Sequence, residues 1–178
     1  MNITVKKRKS LVTKCLVVTM GMTGAGKTTW LKDKTPVVET DDLRVELLDN
    51  IDDHSQTGFI FQTAAKRVAD LFDKHDTVYF GATLVDSKHR ISFLQSIKDM
   101  CNHEFVIDMF IFPCNNKLSK ERVIKDLKNG VKRNNSIHLI DEQYTQYLHT
   151  MSILGDERDF YREIKVADFE KKKPVFNK

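Results

Sequence analysis

The run Gly21-Met22-Thr23-Gly24-Ala25-Gly26-Lys27-Thr28 meets the pattern G-x-x-x-x-G-K-[ST] at every fixed position. The glycines let the backbone curl until successive N–H groups face one anion, and a helix that follows adds its positive end. Lys27 is placed to reach β- and γ-phosphates, and the Thr28 hydroxyl is placed to meet Mg²⁺. Gly21, Thr23, Gly24, Ala25, Gly26, Lys27, Thr28 and Thr29 are therefore the candidate nucleotide-binding residues, with ATP and Mg²⁺ as cofactors and Thr28 as the metal-side residue. Downstream, Thr40-Asp41-Asp42-Leu43-Arg44 sets two adjacent carboxylates ahead of an arginine. A phosphotransferase needs a group that accepts the proton of an attacking hydroxyl, and cations around the phosphoryl group in flight. Acids in this position also suit the first turn of a helix, where the dipole favours them.

Motors, switches and kinases share such a loop, so other residues must separate them. A guanine switch would read its base with N-K-x-D. Asn116-Lys117-Leu118-Ser119 imitates that segment but ends without the carboxylate. A motor would carry acids at the end of its third strand, where this chain has Phe80-Gly81. Both alternatives weaken, and a kinase remains.

The elements that must position these residues alternate. Leu11 to Met20 is an apolar, β-branched run that predicts a buried strand, and Lys27 to Lys34 predicts a helix stopped before Pro36. Val37 to Thr40 predicts a second strand and Asp42 to Asp49 a second helix. From about Phe59 to His75, Phe61, Ala64, Ala65, Val68, Leu71 and Phe72 fall on one helical face. Asp76 to Phe80 predicts a third strand, ended by Gly81, and Ser87 to Met100 a helix with Ser87 as its N-cap. Phe105 to Phe112 predicts a fourth strand, Leu118 to Leu127 and Asp141 to Met151 further helices, and Ile164 to Ala167 a last strand. This alternation implies an α/β fold: a parallel five-stranded sheet with helices on both faces.

The 178 residues suit one domain, spanning 1–178, with 1–10 as a basic extension that includes Lys6-Lys7-Arg8-Lys9. A hydrophobic share of 40% and a charged share of 30% describe an ordinary globular chain. The net charge of +4 tolerates a polyanionic partner without requiring one. Three cysteines, Cys15, Cys101 and Cys114, show neither metal-ligand spacing nor an even count, which predicts a reducing, cytoplasmic setting. The basic start and Leu16-Val17-Val18 imitate a signal peptide, but Lys14 interrupts the apolar run. No apolar stretch approaches the roughly 20 residues that span a bilayer, so no membrane partner is expected.

The loop G-M-T-G-A-G-K-T-T-W together with T-D-D-L-R-V-E-L resembles the kinase domain of phage-type polynucleotide kinases and the broader P-loop kinases related to them. Those proteins commonly read G-x-P-G-S-G-K-S-T-W and R-D-D-x-R. The resemblance implies a P-loop kinase fold, a basic helical lid within about 117–151, and a cytoplasmic enzyme (in the host cell if phage-encoded). It implies Asp41 as the catalytic base and Arg44 as a contact to the acceptor's phosphate, with Asp42 starting the helix. Lys128 to Asn135 is basic, contains Gly130 and precedes Ile140-Asp141, which places Arg133 on the family's lid arginine. With Lys27, Arg133 would stabilise the transferring group. The family's earlier lid arginine is Asn129 here, for which Lys128, Lys132 or Arg122 are substitutes. The implied partner is the 5′ end of DNA or RNA, phosphorylated on its 5′-hydroxyl.

After the third strand the family carries an acid and an asparagine around a threonine, where this chain reads Gly81-Ala82-Thr83-Leu84. Thr83 survives as a substrate-side candidate, and metal binding would rest on Thr28, the phosphates and water. No D-x-D-x-T phosphatase motif is present. The departures keep a second acceptor class open: a small metabolite, a nucleoside or nucleotide, or a hydroxymethylpyrimidine base in DNA. A nucleotide-binding regulatory switch is the third reading.

Overall fold

The computed structural model describes residues 13–131, 137–168 and 175–176. Its centre is β1 (Lys14–Met20), whose residues from Cys15 onward are all buried because strands lie on both of its edges. After α1 (Lys27–Leu31) come β2 (Val37–Glu39), α2 (Thr40–Leu48), α3 (Thr57–Leu71), β3 (Thr77–Gly81) and α4 (Ser87–Met100). β4 (Phe105–Ile111), α5 (Asn116–Lys128), a 3-10 turn over Ile137–Leu139 and α6 (Ile140–Ile153) follow. A second 3-10 segment, Leu154–Phe160, leads to β5 (Glu163–Asp168) and β6 (Val175–Phe176).

The sheet runs β2-β3-β1-β4-β5-β6, with the first five strands parallel and β6 antiparallel to β5. The expected parallel five-stranded α/β sheet is present, and β6 is an addition that its two residues were too short to announce. Alternate positions sort the two faces. Leu16, Val18, Met20, Val78, Phe80, Ile107, Met109 and Ile111 point to one face, under Ile60, Ala64, Ala65, Val68 and Phe72 of α3 and Phe93, Leu94 and Ile97 of α4. Full burial of each of these side chains larger than alanine is worth about 1.5–3 kcal/mol. On the opposite face Trp30 of α1 stacks on Phe110 at 4.9 Å and meets Tyr79 and Phe112 edge-on.

Several boundaries differ from the sequence reading, each for a local reason. α1 stops at Leu31, short of Lys34. α2 begins at Thr40 rather than Asp42, so Asp41 and Asp42 both sit in its first turn, behind Glu39 as N-cap. Asp86, not Ser87, caps α4: its carboxylate accepts from the His89 N–H at 2.7 Å. Asn115 caps α5 through the Leu118 N–H, and Asn116 donates to Asp141 of α6, which also pairs with Lys120 at 2.7 Å. The segment resembling a guanine reader is thus spent on joining two helices.

One segment is held with unusual thoroughness. After β3, the Thr83 carbonyl accepts from the Gly21 N–H at 3.0 Å. The Leu84 carbonyl accepts from Arg90 Nη1 at 2.7 Å, and the Val85 carbonyl from the Thr150 hydroxyl at 2.6 Å. Arg90 is fully buried, its charge met by Glu157 at 2.6 Å and its Nε by the Tyr161 hydroxyl. A buried charge without such a partner would be strongly destabilising. Among the described residues no helix is long and apolar enough to cross a membrane.

Candidate active site

The loop between β1 and α1 takes the form its glycines predict. Gly24 (φ 80°) and Gly26 (φ 99°) lie in the left-handed region, which side chains disfavour. At Gly24 a Cβ would also stand 2.9 Å from the Ser119 carbonyl oxygen, so α5 presses directly on the loop. Arg122 of α5 reinforces that contact by donating to the Gly24 carbonyl at 3.1 Å. Lys27 Nζ donates to the loop's own Gly21 and Met22 carbonyls, at 2.7 and 3.0 Å. Ala25 is buried, while Thr28 and Thr29 are exposed at the start of α1.

Thr23 stands where the resembling kinases have proline, and so keeps an N–H. Gln143 of α6 accepts from it at 2.9 Å. Two turns further along α6, Thr150 holds Val85. One helix therefore grips both the phosphate loop and the segment after β3. Neither contact was foreseen, because a glutamine and a threonine seven positions apart carry no mark of their partners.

At the end of β2, the Thr28 hydroxyl donates to Glu39 Oε1 at 2.9 Å. Sequence reasoning passed over Glu39 as a strand residue; its position two residues before Asp41, at a strand's C-terminal end, is the feature that could have marked it. The space it occupies exists because residue 81 is glycine. A Cβ there would lie 2.6 Å from Leu31 Cδ1, 2.7 Å from Glu39 Cγ and 2.9 Å from its Oε1, so both side chains share the hollow. Burial raises the Glu39 carboxyl above its ordinary range; the Thr28 hydrogen bond opposes this, the charges of Asp42 and Asp41 add to it, and Lys27 lowers it. Asp42 is raised as well, by desolvation first and then by Asp41. The loop lysine and the three acids thus share one electrostatic neighbourhood.

Asp41 Oδ1 accepts from Arg44 Nη1 at 2.9 Å. Arg44 is only 4% exposed, and among the described residues its buried Nε has no hydrogen-bond partner. Thr83 is half-buried beside buried Ala82 and Leu84, and Leu84 adopts a positive φ of 47°. Its backbone, rather than its side chain, meets the loop through Gly21. Arg133 and Lys132 lie outside the described residues; of the substitutes suggested for the earlier lid arginine, replaced here by Asn129, Arg122 is the one seen on the phosphate loop.

A Mg²⁺–nucleotide would find here a loop of N–H donors, a lysine, a hydroxyl and a carboxylate. Hard oxygen donors of that kind suit magnesium, which needs few protein ligands. The donor set fits the group.

No model of a known protein family matches the chain, and no curated protein matches it significantly. Solved structures do. A candidate kinase from Chloroflexus aurantiacus aligns with a TM-score of 0.53 at 14% identity, over 72% of this chain and 78% of that one. A gluconokinase from Sinorhizobium meliloti aligns with a TM-score of 0.50 at 14% identity, over 87% of this chain and 82% of that one. At these identities the likeness is one of architecture alone: a parallel sheet with helices on both faces, shared with these two kinases.

Proposed function

We propose that this chain is an ATP-dependent phosphotransferase that moves the γ-phosphate to a hydroxyl, with the 5′-hydroxyl of a DNA or RNA strand as acceptor. The observation that carries the reading is the join between the loop and the start of α2. Thr28 is bonded to Glu39, and Asp41 follows on the first turn with one oxygen fixed by Arg44.

In the reaction the acceptor oxygen forms a bond to the γ-phosphorus while the bond to the β–γ bridging oxygen breaks. ADP departs with that electron pair, and the hydroxyl proton passes to Asp41. Because Oδ1 is engaged by Arg44, Oδ2 is the oxygen that takes it. Lys27 exchanges its two loop carbonyls for phosphate oxygens, and loop N–H groups hold the β-phosphate. Thr28 would be the protein-side oxygen for Mg²⁺, which would supply charge neutralisation to the nucleotide's phosphates. Arg44 is assigned to the acceptor's phosphate and Arg133 to the transferring group, as the family resemblance implies.

A second reading, a small hydroxylated acceptor, is favoured by one observation. Ala82 and Leu84 flank Thr83 and are both 6% exposed, which leaves little polar surface for a strand at that edge. A gluconokinase also shares the fold. Labelled ATP offered to 5′-hydroxyl oligonucleotides, nucleosides, nucleotides, gluconate and hydroxymethyluracil DNA decides between the two. Oligonucleotide labelling that falls steeply with salt supports the polyanion acceptor. Labelling of a small acceptor alone overturns it, and no labelling of any acceptor, with nucleotide bound, favours the regulatory switch.

A further inference from the structure

The side chain that seats itself in the hollow of Gly81 belongs to a neighbouring strand. β2 and β3 are in register with Glu39 opposite Gly81, so the Glu39 carboxylate passes over the glycine toward the phosphate loop. There Oε1 receives the Thr28 hydroxyl. A hydroxyl whose hydrogen is fixed on a carboxylate has its lone pairs directed elsewhere, available to a cation. The carboxylate keeps further lone-pair capacity of its own, since each oxygen can accept more than one hydrogen bond. It is half-buried, so its charge is less screened than that of a surface acid.

We propose that Glu39, housed by Gly81, is the acid on the metal side of the phosphate loop: it orients the Thr28 hydroxyl and accepts hydrogen bonds from the water shell of nucleotide-bound Mg²⁺. The inference rests on the nucleotide-binding reading above and adds a residue to it. Glu39 is a positioning residue, acting through Thr28 and water. The glycine is its complement, because any side chain at 81 contends for the same space. A carboxylate grown from position 81 would start from a Cβ 2.9 Å from the place where Glu39 Oε1 now lies.

The experiment compares nucleotide affinity with Mg²⁺ and with EDTA by calorimetry, and reads Mn²⁺ in the nucleotide complex by electron paramagnetic resonance. ADP and a non-hydrolysable ATP analogue are the probes. In wild type the metal tightens binding. In Glu39→Gln and Glu39→Ala the tightening shrinks by roughly 10–100-fold, while affinity in EDTA is kept or improves because a negative charge beside the phosphates is gone. Gly81→Ala, whose Cβ would press on Leu31 Cδ1 at 2.6 Å as well as on Glu39 Cγ at 2.7 Å, gives a similar but smaller loss as far as Glu39 is the side chain that yields. The double variant Glu39→Ala/Gly81→Asp recovers a substantial part of the metal effect, a rescue that a merely structural role would not produce.

An undiminished metal effect in Glu39→Ala overturns the inference while leaving the proposed function standing. Loss of nucleotide affinity in EDTA by both Glu39 variants, with no rescue, also overturns it by showing a structural role. Absence of any nucleotide binding by wild type overturns the proposed function, and this inference with it.

Discussion

Arg44 reaches back one turn of α2 to hold Asp41 at 2.9 Å, with the arginine side chain 5% exposed and the aspartate 46%. The pairing is asymmetric: the buried cation depends on the half-exposed acid. Asp41→Ala therefore removes a proton acceptor and also leaves a buried guanidinium short of a partner. Turnover should fall by roughly a hundredfold or more, with nucleotide affinity nearly intact. Stability should fall by about 1–3 kcal/mol, reduced by the solvent access of Asp41. Steady-state kinetics beside chemical denaturation measures both, and near-normal turnover would sink the assignment of Asp41.

Gly24 and Gly26 separate two costs of adding a methyl group. Both need a positive φ, which costs an alanine about 1–2 kcal/mol. Gly24→Ala adds a clash with the Ser119 backbone, whereas a Cβ on Gly26 meets nothing within 4 Å. Thermal melts should therefore show Gly24→Ala as the more damaging of the two. Equal melting temperatures would mean that α5 gives way easily.

The bond from the Thr23 N–H to Gln143 predicts measurable coupling. Gln143→Ala leaves that amide without its acceptor, and Thr23→Pro removes the donor. Either change alone should destabilise, and the pair together should cost less than their sum by about 0.5–1.5 kcal/mol. Urea denaturation of the four proteins in the cycle checks this; strict additivity would deny the contact.

Two thiols should be inert until the fold opens. Burial, the nearby Asp108 charge and a hydrogen bond to Asp108 push Cys15 up to about 12, and burial pushes Cys114 to about 11. Since the thiolate is the reactive form, both should label slowly with a thiol reagent at pH 8 and quickly after denaturation. The raised values also fix the sign of a stability change. Folding favours the protonated thiol, so this contribution is fully present below the ordinary thiol value of 9.0 and fades as pH climbs toward 11 and 12. Melting temperature measured up the alkaline range should decline accordingly.

Strands and phosphate loop were legible because their information is local. β1 is a continuous apolar run, and the loop's glycines, lysine and threonine carry their geometry in their spacing. The pairing of Asp41 with Arg44 is of the same local kind, since the two lie one helical turn apart. Glu39 was not, because its partner is set by the register of β2 on β3 and by a side chain missing from Gly81. Arg90 was equally opaque: as a charged residue on a helix it belongs at the surface, and only Glu157, 67 positions later, makes its burial tolerable. The sheet's sixth strand escaped notice because two residues carry no period. Arg133 and Lys132 of the expected lid fall outside the described residues.

A molecular clock must let the stretch beside its terminal phosphate come loose when that phosphate is lost. Here the corresponding stretch is fastened at three successive carbonyls, to Gly21, Arg90 and Thr150. Freeing it would break three hydrogen bonds at about 0.5–1.5 kcal/mol each and strip a buried arginine of one acceptor. Under the proposed function this stretch is part of the fixed bed on which acceptor and nucleotide meet, a tool's jaw rather than a timer's hand.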